Sequence, residues 1–237
     1  MAGAPIETKL LLVGTIGAIV SGIISFIMPS YLETVRDTLF NAIQGASVPE
    51  DVARAAANAA QMLSILYIIV GIFIFLFAIG LIGGGRLFKK GSGTAAGVFG
   101  LLAGLGAIIG GAGLIAFADV LRRYAEGAAI SIEELGRSAL MAGAGFFVYG
   151  GCSFLFSLLA LIYFFGSPSG WLGGIGGLLI FISAITSILI PSLQYLTGVG
   201  MILMGIALFL QSKAAPTPPP VMAPPSPPPP PPPPPPT

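Results

Sequence analysis

The chain has 237 residues, of which 55% are hydrophobic and only 8% are charged, and its formal net charge is +1. Soluble domains contain about 25% charged residues, so this composition excludes an ordinary soluble globular protein. The nearly balanced charge leaves no basic face for phosphates, which argues against nucleic acid as a partner. The chain also lacks histidine, the most common metal ligand and general base.

Long uncharged stretches separate the few charged side chains. No Asp, Glu, Lys or Arg occurs within four stretches, and each is longer than the roughly 20 residues that a helix needs to cross a bilayer. We therefore predict an all-α, polytopic helical membrane protein, with a transmembrane domain over residues 1–212. About six transmembrane helices are expected, near residues 10–28, 62–85, 94–118, 139–165, 171–190 and 195–210.

The first and last predicted spans each leave a choice. The apolar run from Leu10 to Met28 is longer than the apolar core of a typical signal peptide, so we expect it to stay as a membrane anchor. Residues 171–210 could form two spans or one kinked helix. A single helix of that length would measure about 60 Å, twice the hydrocarbon thickness, so a hairpin near Pro191 fits better.

A short basic loop predicts the orientation. Arg86, Lys89 and Lys90 lie close together without an acidic neighbour, and such loops stay on the cytoplasmic side of a membrane. Alternating spans then place both termini in the cytoplasm of a multi-pass protein of the cell membrane. Residues 29–61 and 119–138 become helical segments outside the membrane.

The two outside segments resemble each other in sequence. Ser47 and Ser131 are each followed three positions later by a glutamate, Glu50 and Glu134. This is a capping box, in which the hydroxyl accepts from a backbone N–H of the first helical turn and the carboxylate reaches back. Each is predicted to begin a helix that runs directly into the following span.

The segments that precede Ser47 and Ser131 are also similar to each other. Gly45 and Gly127 lie where a helix C-cap is expected, after amphipathic stretches. We predict two parallel repeats of a long helical hairpin that protrudes from the membrane, plus a final hairpin outside the repeat. The alternative is a pair of amphipathic helices lying on the outer membrane surface.

Catalytic chemistry is not indicated. The paired acids Glu50/Asp51 and Glu133/Glu134 fall in the first turns of predicted helices, where they favour the positive end of the helix dipole. We expect no enzyme activity, no catalytic or cofactor-binding residues, no cofactor and no metal site. Ser183, Thr186 and Ser187 lie on the fifth span, and we expect them to form hydrogen bonds between helices in preference to lining a permeation path.

Glycines four positions apart mark flat helix faces in the third and fifth spans. Such faces let a second helix approach closely, within one subunit or in a homo-oligomer. The glycines predicted to pack in this way are Gly97, Gly100, Gly104, Gly106, Gly110, Gly173 and Gly177.

Residues 213–237 form a proline-rich tail that ends in ten consecutive prolines, Pro227 to Pro236. Proline fixes φ and lacks the backbone N–H, so the tail favours an extended polyproline II conformation. The Gly- and Ala-rich spans and this tail, including the tracts at Pro220 and Pro227–Pro236, resemble an archaeal group of multi-span membrane proteins with cytoplasmic proline-rich tails. That resemblance implies no activity and no site residues.

Two functions follow from these patterns. The first is a structural or adaptor-like membrane protein that presents its cytoplasmic tail to a protein partner, with the lipid bilayer as its surroundings. The alternative is a channel, or an accessory subunit of a transporter, for a neutral solute. Proton coupling is not expected, since the predicted spans contain no ionisable Asp, Glu, Lys or Arg.

Overall fold

The computed structural model describes residues 6–43, 49–128, 131–167, 170–186 and 191–214, and the regular secondary structure in these ranges is helical. The elements in chain order are α1 (Ile6–Ser25), α2 (Met28–Ile43), α3 (Glu50–Leu87), α4 (Gly91–Ala125), α5 (Ile132–Phe165), α6 (Gly170–Thr186), a single 3₁₀ turn (Pro191–Gln194) and α7 (Tyr195–Ala214).

Five of these helices, α1, α3, α4, α5 and α7, are long and apolar enough to cross a membrane. The predicted class of an all-α, multi-pass helical membrane protein is confirmed at this level. Large apolar side chains point away from the bundle on most of these helices, for example Ile16, Ile115 and Phe147, which are 57%, 52% and 84% exposed. An apolar surface of this extent suits contact with lipid. The sixth apolar helix, α6, is shorter, with 17 residues.

Six helices form a ring. Each of α3, α4, α5, α6 and α7 packs against the apolar helix before it, and α1 and α7 pack together and close the circle. Contacts at their ends show that neighbours run antiparallel. The ring thus consists of three helical hairpins, α1–α3, α4–α5 and α6–α7, and α2 packs on α3 at one end.

One end of the ring carries the predicted basic loop, and we call it the basic end. There Gly83 lies against the backbone of Glu7, and Tyr163 is hydrogen-bonded to Gln211 near the end of α7. The opposite end, called the hairpin end, contains α2, the α4–α5 connection and the start of α7. Both termini of the described chain, Ile6 and Ala214, therefore lie towards the basic end.

The first predicted span is wrong at its C-terminal end. Helix α1 stops at Ser25, Phe26 and Ile27 form a tight turn, and α2 begins at Met28. Pro29 explains the break, because it has no N–H to donate to the carbonyl four residues before it. The first hairpin is therefore interrupted where the second, built on α4, is continuous.

The serine part of the second capping box is confirmed, whereas the Glu134 carboxylate pairs with Arg123. The Ser131 hydroxyl accepts a 3.1 Å hydrogen bond from the Glu134 backbone N–H and caps α5. Gly127 ends α4 with a φ of +81°, and the Ala128 N–H donates to the Arg123 carbonyl at 3.0 Å. This is a Schellman motif, in which a left-handed glycine satisfies the last carbonyls of a helix.

The first capping box is not tested, because its serine, Ser47, is outside the described residues. Helix α3 begins at Glu50, and Pro49 is its N-cap. Proline suits the residue before or at a helix start, since the N–H that it lacks would have no partner there. Ser47 and Gly45 lie outside the described residues, as does the tail from residue 215 onwards.

Candidate functional site: a neutral cavity within the helix ring

The predicted packing glycines of α4 are buried against other helices of the same chain. A Cβ on Gly104 would lie 2.8 Å from the Gly71 carbonyl oxygen of α3, and one on Gly106 would lie 2.5 Å from the Tyr149 backbone nitrogen of α5. Real Cβ atoms essentially never approach backbone so closely, so these seams require glycine. Gly97 shares the first seam, Gly110 the second, and Gly100 lies between both.

The two α6 glycines also meet α5. Gly173 packs against the Phe164 ring, and a Cβ on Gly177 would lie 3.1 Å from the Leu161 backbone nitrogen. Both are buried. All seven predicted glycines thus hold the ring together within one chain, and association of two copies through other surfaces stays a prediction.

The basic loop is the turn between α3 and α4. Lys89 has a φ of 53°, and the Lys90 N–H donates a 2.7 Å hydrogen bond to the Gly85 carbonyl, so a lysine occupies the left-handed position of a Schellman motif. Arg86 lies in the last turn of α3. The Lys90 ammonium lies beside Gly166 in the α5–α6 turn, which places both turns at the basic end.

A cavity of about 300 Å³ lies between the helices, in the half of the ring towards the hairpin end. Its lining comes from all seven helices and from the 3₁₀ turn. Among the described residues that line it, none is charged. The polar lining consists of hydroxyls and one primary amide, from Ser21, Ser25, Tyr67, Tyr149, Ser153, Ser183, Gln194 and Thr197.

Two of these polar groups are buried without a hydrogen-bond partner. The Ser21 hydroxyl, on a residue only 1% exposed, and Oε1 of Gln194, on a residue 9% exposed, each lack one. The Gln194 side chain lies beside the Tyr67 hydroxyl. Buried polar atoms are normally satisfied by protein or water, so this cavity offers unused hydrogen-bonding capacity.

Ser183 has two roles in the wall. Its hydroxyl donates to the Leu193 carbonyl at 3.1 Å and accepts from the Thr197 hydroxyl at 2.8 Å, joining α6 to the start of α7. The predicted hydrogen bonding between helices is therefore confirmed for Ser183, which also lines the cavity. Thr186 instead donates to the Ile182 carbonyl of its own helix, and Ser187 lies outside the described residues.

The basic-end half of the ring is filled. Phe77 and Phe156 meet edge to face with ring centroids 5.5 Å apart, directly below the cavity wall that Phe156 forms. Beyond them the Tyr163 hydroxyl donates a 2.7 Å hydrogen bond to Gln211. Further side chains that are fully buried on this side are Leu11, Leu81, Phe164, Met204 and Leu208. The cavity is thus closed towards the basic end.

The acidic pairs lie away from the cavity, in the first turns of α3 and α5, as predicted. Glu133 pairs with Arg137 at 2.9 Å, and Glu134 pairs with Arg123 across the α4–α5 hairpin. The hydrogen bond from Arg123 to Glu134 raises the pKa of the guanidinium, which stays cationic. These ion pairs are exposed and join helix ends outside the apolar spans.

Among the polar residues of the cavity, only Ser183 has a predicted role from the sequence. The others lie as far apart in the chain as Ser21 and Thr197 and come together only when α1 and α7 close the ring. No protein-family model, no curated protein and no solved structure matches the chain. The resemblance to the archaeal group stays a prediction, and the cavity itself is the basis for a function.

Proposed function

We propose that the protein is a membrane carrier that takes a small neutral polar solute into the cavity. The observation that carries the proposal is the pair of unpartnered polar groups, Ser21 Oγ and Gln194 Oε1, in a cavity whose wall combines hydroxyls with apolar side chains. Leaving a buried acceptor without a hydrogen bond costs free energy, and a ligand that supplies an N–H or O–H removes this cost.

The cavity chemistry supports a neutral ligand over an ion. Moving a charge from water into an apolar bundle is costly unless an opposite charge or several oriented donors compensate it. Ser25, Tyr149 and Thr197 add only neutral hydroxyls to the wall. Since water occupies about 30 Å³ in the liquid, the volume suits a group of about ten non-hydrogen atoms.

The filled basic end supports alternating access over an open pore. Phe77, Phe156, Tyr163 and Gln211 block the path below the cavity. A solute would enter from the hairpin end and leave after this seal rearranges. We take α6, which is about 26 Å long, as the sixth crossing. The positive-inside rule then orients the basic end towards the cytoplasm. In this orientation the cavity receives solute from outside the cell.

Glycerol flux tests this proposal, because glycerol is neutral, carries three hydroxyls and fits the cavity. We expect proteoliposomes in a glycerol gradient to recover volume faster than protein-free liposomes, measured by stopped-flow light scattering. Gln194→Leu should slow recovery at least about tenfold, the effect of losing one good hydrogen bond. Gln61→Leu is the matched control, because Gln61 is exposed at the hairpin end and bonds Arg122. Equal rates with and without protein would contradict the proposal.

The adaptor function is a second proposal. One observation favours it: α7 ends at Ala214 on the same side as Arg86, Lys89 and Lys90, so the tail begins at the end that we assign to the cytoplasm. We expect deletion of residues 216–237 to remove a stoichiometric co-purifying protein and to leave glycerol flux unchanged. An unchanged set of co-purifying proteins would reduce the tail to a spacer.

A further inference from the structure

A second cavity, of about 400 Å³, adjoins the first at the hairpin end. It lies between α2, α3, α4 and α5 and is lined almost wholly by apolar side chains, including the buried Val35, Leu63, Leu114 and Phe117. We call it the apolar cleft. Its one charged lining residue among those described, Arg36, donates hydrogen bonds of 2.8 and 3.0 Å to Asp37 at the surface, so its charge is offset there.

The two cavities share part of their walls. Leu32, Tyr67 and Phe146 line both of them, so the two spaces adjoin at these three side chains. The Tyr67 and Phe146 rings lie 4.6 Å apart at this boundary. Polar and apolar binding capacity are therefore adjacent within the same bundle.

We propose that the solute is a neutral amphiphile, whose polar head occupies the polar cavity and whose alkyl chain lies in the apolar cleft. The inference rests on the proposed function and specifies its substrate class. The cleft runs from Phe146 to Ala139 along α5, about 10 Å by the helix rise, which suits a medium-length acyl chain.

The membrane setting explains why both cavities are needed. A bilayer is as apolar as a leucine-lined cleft, so moving an alkyl chain from lipid into the cleft contributes little binding free energy. The head group contributes more, because it can form hydrogen bonds with Gln194 Oε1 and Ser21 Oγ, which are buried and unpartnered. The cleft lets the chain remain in apolar surroundings while the head leaves the interface. Selectivity should therefore depend on the head, and a blocked cleft should exclude the whole molecule.

Binding of radiolabelled monooctanoylglycerol to the full chain in nanodiscs tests the inference, with empty nanodiscs subtracted. Gly150→Phe places a ring at the exposed wall of the polar cavity, since Gly150 lines it and a Cβ there meets no atom within 4 Å. Ala139→Phe fills the cleft from its exposed rim. The controls, Gly151→Phe and Ala144→Phe, lie on exposed faces of α5 outside both linings. Elution on size exclusion and the helical circular dichroism signal verify that each variant is folded.

We expect both filling variants to weaken monooctanoylglycerol binding at least about tenfold and both controls to bind as the wild type does. Octanoate, with the same chain and a charged head, should compete at least about tenfold less well. Full binding in Ala139→Phe with loss in Gly150→Phe would overturn the amphiphile and leave the polar-solute site standing. Unchanged binding in both filling variants would overturn both proposals, and equal competition by octanoate would overturn the neutral head.

Discussion

The Tyr163 hydroxyl donates a 2.7 Å hydrogen bond to Oε1 of Gln211, joining α5 to α7 where both side chains are fully buried. The amide nitrogen of Gln211 has no partner. The hydrogen bond from Tyr163 therefore offsets the free-energy cost of burying the glutamine side chain. It also lies in the seal at the basic end of the cavity.

Tyr163→Phe should lower the free energy of unfolding in micelles by about 1–3 kcal/mol, because it leaves the buried amide of Gln211 without a partner. The double variant Tyr163→Phe/Gln211→Leu should recover most of this loss, since replacing both polar groups removes the unsatisfied one. Tyr124→Phe, at an exposed site, is the control. A double variant less stable than the single one would contradict the argument.

Gly106→Ala should destabilise the α4–α5 seam by about 1–3 kcal/mol or prevent assembly, because the new methyl group would meet the backbone of Tyr149 at 2.5 Å. Gly151→Ala should raise stability by up to about 1 kcal/mol, since it adds helix propensity where no atom lies within 4 Å. Thermal unfolding in one detergent compares the two. Equal effects would show that the seam is not closely packed.

Lys89→Gly should stabilise the protein by about 1 kcal/mol, because Lys89 has a φ of 53° and glycine adopts that conformation without a Cβ clash. Lys90→Gly removes the same charge from an extended residue with a φ of −112° and should bring no such gain. The difference in melting temperature between these two variants measures the strain, and a difference of zero would refute it.

Cysteine labelling tests the orientation and the crossing by α6. In a Cys152→Ala background, Ala128→Cys at the hairpin end should react with a membrane-impermeant maleimide on intact cells. Gly91→Cys and Ala214→Cys, which are exposed at the basic end, should react only after lysis. Labelling of Ala214→Cys on intact cells with Gly91→Cys protected would mean that α6 and α7 do not both cross.

The sequence predicted the helices well where the signal is local. Ser131 caps α5 and Gly127 ends α4 because a hydroxyl at an N-cap and a glycine at a left-handed position act on their own turn. The break after Ser25 was missed, although Pro29 explains it. An apolar run looks continuous in composition even where a proline removes a backbone donor.

The cavity could not be predicted, because it depends on which helices are neighbours. Ser21 and Gln194 look like ordinary polar residues near the ends of apolar segments. They reach one cavity only because α7 returns to pack on α1, and a single sequence contains no signal for that pairing. Ser183 does join helices, as predicted, but its position in the cavity wall was not predicted.

Glycerol flux through Gly150→Phe and Gly151→Phe proteoliposomes is the most direct test of the central claim. The two variants add the same side chain at adjacent positions where a Cβ meets no atom within 4 Å, and only Gly150 lines the cavity. We predict that Gly150→Phe reduces flux to that of protein-free liposomes and that Gly151→Phe transports as the wild type does. Equal flux in the two variants would contradict a solute site in the cavity.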